Sequence, residues 1–329
     1  MSLVHYSQSY VPIYDKFVEL TKQHERIHWI ADEVSLVNDV EQWKTGKISD
    51  SEKSLILNIL RLFTTSDVIV GQAYYEKIIP VIKNNEARNM LGSFASRESE
   101  HQRSYALLSD TLGFGEDFYF QFLEYQEMKE KYEFMIESIG KSYHDFAVYL
   151  AKQTLIEGVS LFASFAMLLN FDRTGKMPGM IDVVRWSQQD EAKHIEGNAE
   201  LFKVFISEHP NVINDDFKKE IYELARTLVR LEDSFIDKAF EMGGTDNLNK
   251  EDVKKYTRYV TDYRLNQLGF KKNWNIKKNP LPWIDEIMQS SHSNFFERSV
   301  TAYQKANMKG SFDNAYAGYA IEKEVHETV

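Results

Sequence analysis

The 329-residue chain has no cysteine. Disulfides, iron–sulfur clusters, thiolate zinc sites and cysteine nucleophiles are therefore excluded. Any metal must be held by oxygen and nitrogen. Proline and glycine are scarce, at six and fifteen residues, so long stretches carry no breaker, which favours long helices over a sheet. There is no basic excess: the formal net charge is −11, which argues against a nucleic-acid or anionic-membrane partner. Read as a sequence, no apolar run reaches the roughly 18 residues needed to span a bilayer. The opening "MSLVHYSQSY" has neither the basic region nor the apolar segment of a signal peptide. The expectation is a cytoplasmic chain with no membrane partner.

What is present is helical punctuation. "SDSE" at 49–52 reads as a capping box, with Ser49 as cap and Glu52 three residues on. Apolar periodicity then runs from Leu55 to about Val81, and Pro80 with "KNNE" marks a turn. The pattern resumes to Leu112 and stops at Gly113; a shorter helix is expected over 119–138 and a long one over 143–171, ending in "DRTG". Further helices are expected from Pro178 to Pro210, over 214–242, and over 250–268. No strand alternation and no internal repeat interrupts this series. Length alone suggests about two domains as a soft prior, but long helices joined by short turns predict one all-α bundle. The expected division is a helical domain over 1–309 and a flexible tail over 310–329.

The stretch "RESEHQRSY" (97–105) places Glu98, His101 and Tyr105 within an arc of roughly 60° on one helix face, with Glu100 on the other side and expected to be solvated. A lone Glu-x-x-His is weak evidence, since a solvated helix face gives the same pattern. Three occur here, beginning at Glu25, Glu98 and Glu191. Turn positions separate them. Asp67 and Glu98 are equidistant from the 80–85 turn, and Glu157 and Glu191 are equidistant from residue 174 in "DRTG". In antiparallel hairpins each pair then lies side by side. Asp67 and Glu157 also interrupt apolar surroundings, where an uncompensated carboxylate costs several kcal/mol. Glu25 and His28 have no such partner and read as a surface coincidence. Four carboxylates with the imidazoles of His101 and His194 balance two divalent ions and suit iron or manganese. One carboxylate from each of two helices, with Glu-x-x-His from two others, is the general dimetal-carboxylate arrangement of ferritin-like bundles.

Assembled, Asp67, Glu98-x-x-His101-x-x-x-Tyr105, Glu157 and Asp190-Glu191-x-x-His194 resemble the radical-generating small (beta) subunit of class I ribonucleotide reductase. The resemblance runs from about residue 10 to the tail. It implies Asp67 and His101 on the metal nearer the tyrosine, Glu157 and His194 on the second, and Glu98 and Glu191 bridging. It also implies two iron ions, with dimanganese or mixed manganese–iron as alternatives. Tyr105 would carry a radical made with oxygen or superoxide, although some relatives store the oxidising equivalent on the metals. "WIADEV" matches the tryptophan of the family's relay, giving Trp29, and Asp190 matches its aspartate. Tyr319 or Tyr316 in the tail would continue the path, and the last residues would dock on the large (alpha) subunit. Leu161 and Phe165 would line the radical's apolar pocket. Gln189 stands where most members have arginine, and Ser187 and Gln188 make this stretch more polar than in many members. A homodimer follows from the family, and an activating flavoprotein is an additional candidate partner. The competing readings are a dimetal oxidase or monooxygenase on the same scaffold, and a ferritin-like storage protein. Neither has a use for Tyr105, Trp29 and Asp190 together.

Overall fold

A computed structural model describes residues 2–6 and 8–287. Contacts divide the chain into Met1–Ile284 and Asp285–Val329. The expected boundary at 309/310 and both tail tyrosines, Tyr316 and Tyr319, lie outside the described residues. Among the described residues, Met1–Ile284 is built from the eleven α-helices named below with short 3-10 and π segments, and no strand occurs. The helices are α1 (Asp15–Glu25), α2 (Val37–Lys44), α3 (Asp50–Gln72), α4 (Asn85–Thr111), α5 (Glu116–Phe120) and α6 (Gln126–Ile136). They continue with α7 (Tyr143–Leu155), α8 (Leu161–Leu169), α9 (Pro178–Glu208), α10 (Asp215–Ala239) and α11 (Lys250–Gln267).

Helix ends follow local chemistry. Ser49 caps α3 in a complete box: its Oγ accepts from Glu52 N at 3.3 Å, and Ser49 N donates to the Glu52 carboxylate at 2.9 Å. α4 stops where Gly113 turns left-handed at φ 89°, a conformation that costs glycine little. α9 opens with Pro178 at its first turn, where a missing N–H costs nothing. Its next two amides donate to Asp39 of α2 at 2.8 and 2.9 Å.

Three expectations need correction. The single helix over 119–138 is instead α5, a 3-10 turn over Gln121–Glu124 and α6, broken at Tyr125, whose backbone is extended. Arg61 at 5.4 Å and Lys238 at 4.2 Å lie over the Tyr125 ring and hold the break. Two of the helices expected to be continuous beside the site contain a π turn, Ala73–Ile78 after α3 and Ile156–Ser160 between α7 and α8. Finally, Asp50–Ile78 and Tyr143–Thr174 are each long and apolar enough to cross a membrane. Their apolar stretches are 67% and 100% buried within the protein, so they read as core helices.

α3 packs against α4, α7 against α9, and α4 against α9. Between α3 and α4, a Cβ on Gly71 would lie 3.4 Å from Glu98 Cβ. Gln102 of α4 donates to the Asp67 carbonyl of α3 at 3.0 Å. The two helices are thus in the register that the turn at 80–85 dictates.

Candidate metal centre

All six expected ligands converge in the core. Asp67 comes from α3, Glu98 and His101 from α4, Glu157 from the π turn, and Glu191 and His194 from α9. None is more than 1% exposed. Ligand atoms of Glu98, Glu157, Glu191 and His194 lie within 4.8 Å of one another. His101 adjoins them, its Nδ1 being 3.4 Å from Glu98 and 3.2 Å from Glu191. His194 Nδ1 faces Glu98, Glu191 and Glu157 at 3.0, 3.4 and 3.5 Å. Asp67 completes the group, with Glu98, His101 and Glu191 as its charged neighbours.

The electrostatics are those of a cage built for cations. Burial, then the Glu98 carboxylate, pushes Asp67 well above the usual carboxylate range. Burial lifts Glu157 to about 7. Glu98 resists the same burial because the His101 and His194 imidazoles pull it down to about 2. Against burial, the carboxylates hold both imidazoles well above 6.5. Both carboxylate oxygens of Glu98 and of Glu191, together with Asp67 Oδ2 and His194 Nδ1, have no hydrogen-bond partner among the described residues. The close approaches of His194 Nδ1 are therefore contacts without hydrogen-bond geometry. Orphaned buried acceptors on this scale are costly, and divalent ions would satisfy them.

The outward nitrogens complete the test of fit. A ligating imidazole normally donates its second N–H to a carboxylate or other acceptor. His101 Nε2 meets Asp190 at 3.2 Å, and His194 Nε2 meets His24 Nε2 at 3.2 Å. Both rings thus aim Nδ1 inward. Asp190 Oδ2 also accepts from Trp29 Nε1 at 2.8 Å, and the Trp29 and His101 rings lie parallel with centroids 5.8 Å apart. Trp29, Asp190 and His101 therefore form one continuous buried contact chain. Arg97 secures it, donating to the carbonyls of Trp29 and Ile27 at 2.7 Å each, with Nε 3.5 Å from Asp190.

Tyr105 is buried beside Asp67, and its hydroxyl has no hydrogen-bond partner among the described residues. Burial and then Asp67 drive its phenol well above the ordinary value, so it is a neutral phenol at physiological pH. Phe63 lies against it at 4.7 Å between centroids, and Phe165 packs on Phe63 at 5.3 Å. Phe165 thus reaches the tyrosine through Phe63; Leu161 is buried on the same helix as Phe165. Ser187, Gln188 and Gln189 are buried as well.

Several residues escaped the sequence reading. Glu100 is not solvated: it is buried, accepts from Ala31 N at 3.2 Å and pairs with Arg103. Tyr74 donates to both oxygens of Glu157, at 2.9 and 2.8 Å, and Gln153 adds a bond at 2.5 Å. Asn198 donates to Tyr74 at 2.8 Å and to Glu157 at 3.3 Å. Gln153 and Asn198 are each four residues from a ligand, a helical spacing that could have marked them. His24 offers no such signal, because α1 brings it from far along the chain. Glu25 and His28 are exposed, as expected of a coincidental motif.

A long-helix bundle with a buried four-carboxylate, two-histidine cage defines a ferritin-like dimetal-carboxylate protein. Comparison with known proteins narrows this. The family "Ribonucleotide reductase, small chain" matches residues 8–280, and the chain belongs to that family. It is 37% identical to the probable ribonucleoside-diphosphate reductase small subunit of Invertebrate iridescent virus 3, over 92% of this chain and 84% of the relative. It is 33% identical to the corresponding protein of Invertebrate iridescent virus 6, over 96% of this chain and 99% of the relative. Among solved structures, a ribonucleotide reductase R2 subunit from Clostridium botulinum superimposes with a TM-score of 0.77 at 21% identity. That match covers 84% of this chain and 88% of that one.

Proposed function

We propose that this chain, as the small subunit of a class I ribonucleoside-diphosphate reductase, generates a radical at Tyr105 and passes it outward through His101, Asp190 and Trp29. The observation that carries this reading is the unbroken contact from the cage through His101 and Asp190 to the Trp29 indole. Asp67 and His101 would hold the metal nearer Tyr105, Glu157 and His194 the second, with Glu98 and Glu191 between them. When bound, the metal pair supplies, with oxygen or superoxide, a one-electron oxidant. The donor set of carboxylate oxygen and imidazole nitrogen accepts iron and manganese alike; two iron ions are our first reading, dimanganese or mixed manganese–iron the alternatives.

The protein's own part can be derived from its contacts. Tyr105 is a protonated phenol in a dry, apolar setting of Phe63 and Phe165. It must lose a proton with its electron, and the Asp67 carboxyl is the charged group nearest in effect. Burial and the packing of Phe63 leave the oxidised ring few partners to react with. Asp190 accepts from both the indole and the imidazole, fixing the two rings parallel and holding the His101 tautomer. Arg97 fixes the backbone at residues 27–29, which keeps the indole over His101. With no thiol in the chain, reduction of the ribonucleotide falls to the large subunit. Residues 310–329 would dock there, with Tyr319 or Tyr316 completing the path. A homodimer and an activating flavoprotein belong to the same proposal. The test is reconstitution with the large subunit: wild-type protein should support deoxyribonucleotide formation, while Trp29→Phe should keep its Tyr105 radical and lose turnover. A Trp29→Phe protein with wild-type turnover would remove Trp29 from the path.

A further inference from the structure

One buried cation and one buried ion pair outside the cage have no part in the chemistry above. Arg264 of α11 is 7% exposed and has no carboxylate within ion-pair distance among the described residues. Its Nε instead donates to the carbonyl of Gly158 at 3.1 Å, and its guanidinium lies over the Phe162 ring at 4.7 Å. Lys131 of α6 and Glu232 of α10 form an ion pair at 2.8 Å, and neither is more than 1% exposed. Glu232 also accepts from Ser160 Oγ at 2.6 Å. Burying such charges is expensive and seldom repaid in stability alone. Both converge on one element. Gly158 and Ser160 belong to the π turn Ile156–Ser160, and so does Glu157.

The turn needs such support. A π turn is a rare insertion into an α-helix, frequent at functional sites. Its relaxation to α geometry would rotate the chain on one side against the other by about 100°, carrying Glu157 out of register with α8. Gly158 shows how closely Arg264 is fitted: a Cβ there would lie 2.7 Å from Arg264 Nε and 2.9 Å from its Cδ. From the other side, Tyr74, Gln153 and Asn198 hold the Glu157 carboxylate itself.

We infer that Arg264, together with the Lys131–Glu232–Ser160 chain, is a positioning device that holds the π turn and thereby sets where Glu157 meets the second metal. The inference rests on the dimetal reading above. It predicts that a change at Arg264, which bonds to the residue after Glu157, alters one metal site and spares the other. A merely structural role would lower the melting temperature and leave both sites alike.

The experiment is an anaerobic titration of the full metal-free chain with Mn(II), followed by electron paramagnetic resonance and paired with thermal melts. Wild type should bind two ions per chain and show the signal of a coupled pair. Arg264→Gln should lose about tenfold in affinity at one site, as substitutions behind a metal ligand do, keep the other, and lose the coupled signal in proportion. Arg264→Lys, which keeps a cationic donor, should recover most of it. Ser160→Ala should shift the same site in the same direction by less. Wild-type isotherms and spectra in Arg264→Gln, with only a lower melting temperature, would overturn the inference. If Arg264→Gln does not fold, Ser160→Ala decides by the same readout, and an unchanged isotherm counts against the device. Fewer than two ions bound by wild type would instead overturn the dimetal reading, and this inference with it.

Discussion

Asp190 shows how much one side chain is asked to do. Its Oδ2 receives Trp29 at 2.8 Å and His101 at 3.2 Å, with Arg97 at 3.5 Å, while Oδ1 lies 3.6 Å from His24. A carboxylate accepts at both oxygens and carries the charge, whereas an amide keeps one accepting oxygen and no charge. Asp190→Asn is therefore expected to keep the fold and lower turnover with the large subunit by about 10–100-fold, the usual cost of losing a partner behind a ligand histidine. Steady-state assay checks this, and an unchanged rate would show that the Trp29–His101 geometry does not depend on the carboxylate. At this scale the sequence was informative where spacing carried the signal. Glu98, His101, Glu191 and His194 declare themselves as Glu-x-x-His pairs, and Asp67 and Glu157 as carboxylates in apolar runs. Trp29 and Asp190 became legible through family resemblance. His24 and Tyr74 did not, because each acts on a residue 170 or 83 positions away, and nothing local marks such a contact.

Helix ends and interruptions decide where the ligands point. The start of α3 is fixed by Ser49 and Glu52, and Glu52 also binds Lys176 at 2.6 Å and Thr245 at 3.2 Å. One carboxylate thus joins the N-terminus of α3 to the segment leading into α9. Burial would raise the Glu52 carboxyl, but Lys176 and Ser49 outweigh it and hold the group below its ordinary 4.5. A depressed carboxyl stabilises the fold fully above its unfolded value, and the contribution is lost as pH falls through the lower folded value. Glu52→Ala should therefore cost about 1–2 kcal/mol at pH 7 through the lost cap and charged hydrogen bond. The difference from wild type should shrink as pH falls below about 4.5. Denaturant melts at several pH values check this, and a gap that widens in acid would contradict it. Helix boundaries at Ser49, Gly113 and Pro178 were legible because caps and breakers are local. The two π turns were not: their extra residue is held by Glu157, Tyr74 and Arg264, which come from separate elements. The break at Tyr125 escaped for the same reason, since Arg61 and Lys238 supply it from α3 and α10.

Taken whole, the molecule spends much of its core on polar chemistry, with four carboxylates, two imidazoles and their partners buried among aromatic side chains. Such a core stabilises the fold fully only with its cations in place. At about 100 times its Kd, each bound ion should add about 2.7 kcal/mol. Thermal melts of metal-free protein with and without Mn(II) or Fe(II) check this, with a chelator expected to reverse the gain. A melting temperature indifferent to both ions would contradict the cage as a metal site. The all-α bundle was legible as a whole, because scarce breakers and long apolar periods leave few other folds, and turn symmetry sets Asp67 level with Glu98 and Glu157 level with Glu191. The central claim is that this cage makes a radical on Tyr105. The most direct test is electron paramagnetic resonance on full-length protein loaded anaerobically with Fe(II) and exposed to oxygen, with a parallel Mn(II) and superoxide sample, and Tyr105→Phe as control. The account predicts a tyrosyl signal that disappears in Tyr105→Phe while both metals remain bound. A tyrosyl signal that persists in that variant, or an oxidised pair with a purely metal-centred signal in wild type, would contradict it.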